Sequence, residues 1–548
     1  MSRAPRGFRR RTFLGASALL GSSVTGCRST PRDTQAPAAR FVGQGPERGH
    51  ALRDRTLPER PPSRRIRTQV LIIGAGAAGA AAAWTLRRSG LRDIIIMEME
   101  SDIGGTARAG HMPRSAYPMG AHYLPVPPPG FEALDRLLTD LGILRGRALD
   151  GTPELDMRTV CPAPMERHRD RFRWYEGLYP LEAATDGDTV EWNRWQAHLD
   201  GLRTATRPDG GPRFCIPMPR TLDTNLAALD AVSLAAYLDE RGFTSSPLRW
   251  LIDYACRDEY GMRTEEVSAL AGLHRFAGRP GDDAAGEWLL TAPEGNARLV
   301  RGMLSLAGVD KEVWLNTAAI RVDANRGEVL AYRFDDDEVV AVEAETILWA
   351  APRFILPRLL LEATDPLPAG RLDYTPWLVA SLQLRRTPGG AGAPLAWDNV
   401  TTQAEHLGYV VATHGEPRDE VRPGSVVTYY EAICGAEGRA LAERRRALLG
   451  WDLAACKDRV LSAMEGLHPG ITEDVERVDI ARWGHAMVRP RPGLFTDGTL
   501  ALARAPIGRV IPCGSDVSGL PLFEHAFDTG VRAATETLHR AGRASSPW

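Results

Sequence analysis

The sequence predicts an α/β chain in which a parallel-stranded sheet domain is interrupted by a mixed α+β domain. Three observations lead there. A short apolar run at 70–73 enters glycines at G-x-G-x-x-G spacing and then an alanine-rich stretch. β-type apolar runs return in mid-chain at 313–322 and 346–350, and again at 509–514. Between these runs lie long stretches with helical periodicity or strand alternation. A sheet drawing strands from the start, middle and end of 548 residues requires a second domain inserted twice.

The first residues stand apart from that plan. Arg9-Arg10-Arg11-Thr12-Phe13-Leu14 reads as a twin-arginine signal, and Val24-Thr25-Gly26-Cys27 after a diluted apolar stretch resembles a lipoprotein cleavage box. Residues 1–27 are therefore expected to engage the twin-arginine export machinery, with Cys27 lipidated and the protein anchored to a membrane through its lipid. Arg28, where an acid would retain a lipoprotein, points to a periplasmic protein of the outer membrane if the cell has two membranes. Residues 28–66, rich in Pro, Arg and Gly, read as a disordered basic tether. No stretch reaches the roughly twenty apolar residues of a membrane helix.

Charge supports this division. Lys and Arg number 67 against 69 Asp and Glu; without the leader's five arginines the balance is 62 to 69, and without the tether 53 to 65. A basic tether on an acidic body suits an anionic lipid surface, and nothing resembles a nucleic-acid footprint. The seven cysteines form no C-x-x-C pair and no metal-ligand spacing appears, so no metal and mostly free thiols are expected.

The body opens with the first segment of a nucleotide domain, at 67–135. Gly74 makes a tight turn, Gly76 lets a pyrophosphate approach the backbone, and Gly79 lets the following helix, with Ala77 and Ala78 in its first turn, press on the strand. The phosphates then meet free N–H groups and the positive end of the helix dipole. The apolar run 94–97 ends at Glu98-Met99, about twenty residues on, where an acid holds ribose hydroxyls and disfavours a 2′-phosphate. Gly104, Gly105, Thr106, Arg108, Gly120, Ala121 and His122 extend the binding set through a loop-rich stretch.

Residues 136–288 carry amphipathic patterns at 131–144, 226–241 and 246–260 that read as a helical cap. The nucleotide domain resumes at 289–356, with a polar hairpin-like segment at 328–343. A second substrate segment, 357–480, holds strand candidates at 377–384 and 425–432 and a helix from 440 to 466. The last segment, 481–548, contains a strand to Gly514 and a helix from 524 to 538.

That interrupted plan, with particular residues, resembles the flavin-containing amine oxidase superfamily, which includes monoamine oxidase, protoporphyrinogen oxidase and phytoene desaturase branches. Leu315 to Val322 looks like the segment that touches adenine, with Ala319 at the contact, and Ala350-Ala351-Pro352 looks like the strand end after it. Pro293-Glu294-Gly295-Asn296 is similar to the glycine turn before a helix, and Arg482-Trp483-Gly484-His485 through Pro492-Gly493 resembles the tryptophan stretch beside the flavin. Gly514-Ser515-Asp516, then Gly519-Leu520-Pro521 and Glu524-His525-Ala526, looks like the closing motif, where an acid holds the ribityl chain and a helix N-terminus faces the pyrimidine. The resemblance implies FAD, a Rossmann-like FAD-binding domain and the two-domain amine oxidase topology.

Departures from the family bear on the chemistry. Its amine-oxidising members place a lysine near the flavin, yet the only lysines here are Lys311 and Lys457, and neither falls at that place. The family's aromatic pair is replaced by Leu522 and Met487-Val488. His122, His485 and His525 are the titratable candidates for a catalytic part, with a bonded, non-catalytic role the competing reading for each. Tyr117, Tyr123, Trp349 and Tyr260 are candidates to line a tunnel, with core packing as the alternative.

The expectation is a tethered FAD-dependent oxidoreductase passing hydride from an organic substrate to the flavin. Its electron acceptor is oxygen, a quinone or a redox protein. A desaturase or isomerase acting on a lipophilic substrate and a non-catalytic electron-transfer partner stand as alternatives.

Overall fold

The computed structural model describes residues 37–279, 288–309, 311–414, 424–435 and 437–543. The signal and Cys27 lie outside the described residues. Among those described, no helix is long and apolar enough to cross a membrane.

The strand Arg64–Ile73 is the centre of a seven-stranded mixed sheet. It pairs in parallel with Ile94–Met97 on one side and Glu338–Trp349 on the other. Val313–Trp314 and Val510–Pro512 extend the parallel portion, and Glu328–Arg333 and Thr317–Asp323 continue it as an antiparallel meander. Side-chain alternation decides what covers each face. Val70 and Ile72 pack in a core cluster with the helices Ala77–Arg88, Ala297–Ala307 and Phe523–Arg540, whereas Leu71 and Ile73 pack with the meander residues Val329, Ala331, Val340 and Val342.

An eight-stranded sheet forms the second layer system, in the order Ala38–Phe41, Val475–Val488, Tyr374–Leu384, Ser425–Ala432, Tyr409–Val411, Asp398–Thr401, Glu166–Asp170, Arg173–Glu176. Over it lies a helical group with its own core around Trp195, Tyr237, Phe243 and Ile252, which also takes in Leu520 and Leu522 before the closing helix. That contact fixes the cap against the closing motif.

Several expectations are corrected. The tether is not disordered from residue 37 onward. Ala38–Phe41 adds a parallel strand along Arg477 to Ile480, and Pro46–Asp54 is a helix. The cause is a set of specific partners that composition does not reveal: Arg40 makes a two-point ion pair with the buried Asp479, and the Arg482 guanidinium lies 3.8 Å from the centre of the Phe41 ring. The span 226–241 is two helices, Thr224–Asp230 and Leu234–Glu240, because Ser233 caps the second by accepting from the Ala236 N–H. The span 440–466 likewise breaks into Gly438–Gly450 and Leu453–Leu467, with Asp452 as the cap. Helix 131–144 shortens to Glu132–Asp140, and Val475–Val488 runs unbroken through the boundary placed at 480.

Candidate dinucleotide site and adjoining cavity

The turn after the central strand is built on close backbone approach. A Cβ on Gly79 would lie 1.9 Å from the Gly74 carbonyl oxygen, and one on Gly74, at φ +106°, would lie 2.7 Å from that of Ala350. Gly76 caps the helix Ala77–Arg88 without any side-chain hydrogen bond, so the free N–H groups around Ala77 and Ala78 face outward. Gly104 donates to the Ala75 carbonyl at 2.9 Å, which brings Gly105 opposite Gly76: a Cβ on Gly76 would sit 3.7 Å from the Gly105 Cα. Two glycines thus bound a narrow passage over a helix N-terminus, which fits a pyrophosphate.

Glu98 closes this cradle at the end of the second parallel strand. It is buried, and its two oxygens accept from the Ala75 and Glu100 N–H groups at 2.9 and 3.0 Å, which holds the carboxylate while leaving lone pairs for hydroxyl donors. Burial raises its pKa against those two bonds. Thr317 donates to the Glu98 carbonyl, so Ala319, two residues on, lies along the same edge.

Arg48 belongs to this wall, although its place in the sequence gives no sign of it. It donates to the Met99 carbonyl at 2.6 Å and to the Asn316 side chain at 2.7 Å, with its guanidinium 4.4 Å from the centre of the Phe334 ring. Gly45 donates to Glu100, and Arg108 donates to the Gly43 and Asp102 carbonyls. The ordered N-terminal segment therefore straps the wall beside Glu98.

Gly120 continues the path, since a Cβ there would lie 2.2 Å from the Thr106 carbonyl oxygen, to which Ala121 donates. Trp483 is buried and donates its indole N–H to the Met119 carbonyl at 2.7 Å. At the far end, Gly514 donates to the Thr529 hydroxyl, and Ser515 opens the short helix Ser515–Ser518. Asp516 is buried with a raised pKa; one oxygen accepts from the Arg353 N–H and the Tyr374 hydroxyl, and the other lies toward Gly514. Ala350 donates to the Ile73 carbonyl. Ala526 sits in the first turn of the closing helix, and Gly530, one turn on, packs against the Ala78 carbonyl.

The three candidate histidines are not brought together. His485 stacks on Phe354 at 4.3 Å, and burial together with Arg445 pushes its pKa down to about 3. His525 is buried beside His274 and accepts from the Met218 N–H, on the opposite side of the closing helix from Ala526 and Gly530. His122 faces the large cavity beside Tyr123, and burial pushes its pKa down to about 4, so it is neutral at pH 7. Of the four aromatic candidates only Tyr123 lines that cavity; Tyr117 bonds Asp479, Tyr260 bonds the Ala271 carbonyl, and Trp349 is buried core.

The cavity is about 370 Å³ and combines an aromatic wall with half-buried carboxyl groups. His122 stacks on Tyr430 at 4.6 Å and meets Trp397 and Tyr123 at 5.5 and 5.0 Å. Asp258 accepts from the Tyr123 hydroxyl and Asp398 from the Tyr254 hydroxyl, each at 3.0 Å. Burial, with the neighbouring Glu259, raises Asp258 to about 6, and burial, with Asp258 and Glu166, raises Asp398 well above the ordinary carboxylate range. The cavity's arginines are committed elsewhere: Arg279 pairs with Glu259 and Glu524 at 2.7 and 3.1 Å, and Arg275 pairs with Glu259. Glu524 thus serves a buried ion-pair network. Sequence reasoning missed Asp258, Asp398 and Trp397, since a lone acid in a helix and a Trp-Asp in a loop carry no spacing signal.

Known proteins share this architecture. A family model described as an NAD(P)-binding Rossmann-like domain matches residues 72–141. No curated protein matches the sequence. Among solved structures, putrescine oxidase bound to putrescine is 17% identical with a TM-score of 0.60, covering 87% of this chain and 100% of that one. Cyclohexylamine oxidase from Brevibacterium oxydans is 16% identical with a TM-score of 0.61, covering 88% and 100%. Reduced UDP-galactopyranose mutase is 14% identical with a TM-score of 0.55, covering 88% and 95%. The chain thus has the fold of two-domain oxidases, built on a Rossmann-like dinucleotide domain.

Proposed function

We propose that this protein is an FAD-dependent oxidoreductase that dehydrogenates an organic amine held as a cation in the His122–Asp258–Asp398 cavity. When bound, the flavin supplies the hydride acceptor. The glycine cradle and the helix N-terminus receive the pyrophosphate, Glu98 the ribose, and Asp516 the ribityl chain. Asp258 and Asp398 carry the proposal for the amine. They are half-buried carboxyls hydrogen-bonded by tyrosine hydroxyls, in a cavity walled by His122, Tyr123, Trp397 and Tyr430. An ammonium group there meets a carboxylate and aromatic faces together. With a pKa near 6, Asp258 is mostly ionised at pH 7; it can balance that charge and accept the ammonium proton, which must leave before the neutral amine can give up a hydride. Neither lysine lines the cavity, so this chain's own residues orient the substrate without a lysine. A carboxyl-lined cavity disfavours the lipophilic alternative.

The test is anaerobic bleaching of the flavin by a panel of amines, alcohols and lipid extracts. Bleaching by amines supports the proposal; bleaching by lipids alone overturns it. Residues 1–27 we read as a twin-arginine lipoprotein signal, on the strength of the arginine pair and the box ending at Cys27.

A further inference from the structure

The closing helix Phe523–Arg540 has a second functional face. Gly530 turns toward Ala78 and the cofactor cradle, while His525, Asp528, Thr529 and Arg532 recur at helical spacing on the other side. There the helix borders a small cleft closed by the cap segment around Arg220 and by Arg504 and Ser518.

Two guanidinium groups, those of Arg220 and Arg504, line this cleft beside the Asp528 carboxylate. Arg532 donates to Asp528 at 2.7 Å. Arg220, at the rim, and Arg504, half-buried, make no hydrogen bond or ion pair among the described residues, and the Arg504 Nε is buried without a partner. Burial lowers the pKa of Arg504 to about 10, and repulsion from Arg220 and Arg532 adds to that. Elsewhere deeply buried arginines have partners: Arg353 pairs with Asp365 and Arg489 with Glu266, and Arg167 donates to Asn399 and to the Ala393 carbonyl. Crowding two unpaired guanidiniums into a cleft is unfavourable unless an anion completes it. Asp528 is matched by Arg532, so the charges of Arg220 and Arg504 are left to be balanced, which suits a dianion, and the planar forks of arginine match its oxygens.

We propose that Arg220 and Arg504 form a binding site for a phosphate dianion, distinct from the cofactor cradle. Its ligand is free phosphate or the head of a phosphomonoester. Arg220 comes from the segment whose Met218 N–H bonds His525, so the anion ties the cap to the helix that begins at the cofactor site.

The test is thermal unfolding of the full chain as purified, at constant ionic strength, with chloride replaced stepwise by inorganic phosphate or by glycerol 3-phosphate. The unfolding midpoint is expected to rise with phosphate, and the rise to be lost in Arg220→Gln and in Arg220→Gln/Arg504→Gln. A rise with inorganic phosphate alone supports a free-anion site, and a rise with both supports a monoester head. No rise with either compound, or the same rise in Arg220→Gln as in the native chain, overturns the proposal. Arg220 stands at the rim, so the single variant keeps the fold and the readout intact.

Discussion

Replacing Asp258 by Asn separates binding from folding, because the same carboxylate acts on both in opposite directions. Its pKa is raised from 3.8 to about 6, first by burial and then by Glu259. A group whose folded pKa is raised binds its proton more tightly in the native state, so native stability falls as pH rises from about 3.8 to about 6. Each unit is worth roughly 1.4 kcal/mol, so above pH 6 the ionised Asp258 costs the fold about 3 kcal/mol as an order of magnitude. Asn keeps an acceptor for the Tyr123 hydroxyl and carries no charge. The variant is therefore expected to be more stable than the native chain at pH 8 and equal to it below pH 4, read by urea unfolding. Substrate binding moves the other way. Losing a charge-assisted bond of about 1.5–3 kcal/mol raises KM for an amine roughly 10- to 100-fold at pH 8. In the native enzyme KM falls as pH rises through about 6, and in the variant that step disappears. An unchanged KM at pH 8 alongside the gain in stability would refute the role of Asp258 in holding the cation.

Other outcomes follow from the same geometry. Gly79→Ala places a Cβ 1.9 Å from the Gly74 carbonyl and is expected to yield protein without bound flavin, measured as absorbance per chain. Glu98→Ala should lower flavin retention at least tenfold on dilution; full occupancy would count against the ribose assignment. Arg48→Ala breaks two hydrogen bonds to the adenosine wall, so flavin release should quicken several-fold while amine KM stays constant. On the lipoprotein reading of residues 1–27, Cys27→Ser is expected to move the protein from the membrane to the soluble fraction, checked by fractionation, and an unchanged distribution would refute that reading.

The dinucleotide cradle was legible because its physics is local. A buried strand, a turn that excludes side chains, and an acid at the end of the next strand all fall within residues 70–105, and the structure places Gly74, Gly76, Gly79 and Glu98 around one passage. Ser246–Tyr260 and Ser425–Ala432 were legible for the same reason, through their own periodicity. What failed was long-range. Arg40 and Arg48 read as tether charges because Asp479 and Asn316, their partners, lie hundreds of residues away. The cavity escaped likewise: His122, Asp258, Asp398 and Tyr430 come from four separate stretches, and only the fold brings them together. His525, placed by sequence at a helix N-terminus, faces Met218 because neighbouring positions on a helix point about 100° apart.

The most direct measurement of the central claim is anaerobic stopped-flow absorbance of the purified full-length protein mixed with alkylamines and diamines. The expected result is a yellow protein with one FAD per chain whose flavin bands bleach with an amine, at a rate that saturates with its concentration and falls with Asp258→Asn at subsaturating amine. A protein that binds no FAD even on reconstitution, or a flavin that no amine reduces, would contradict it.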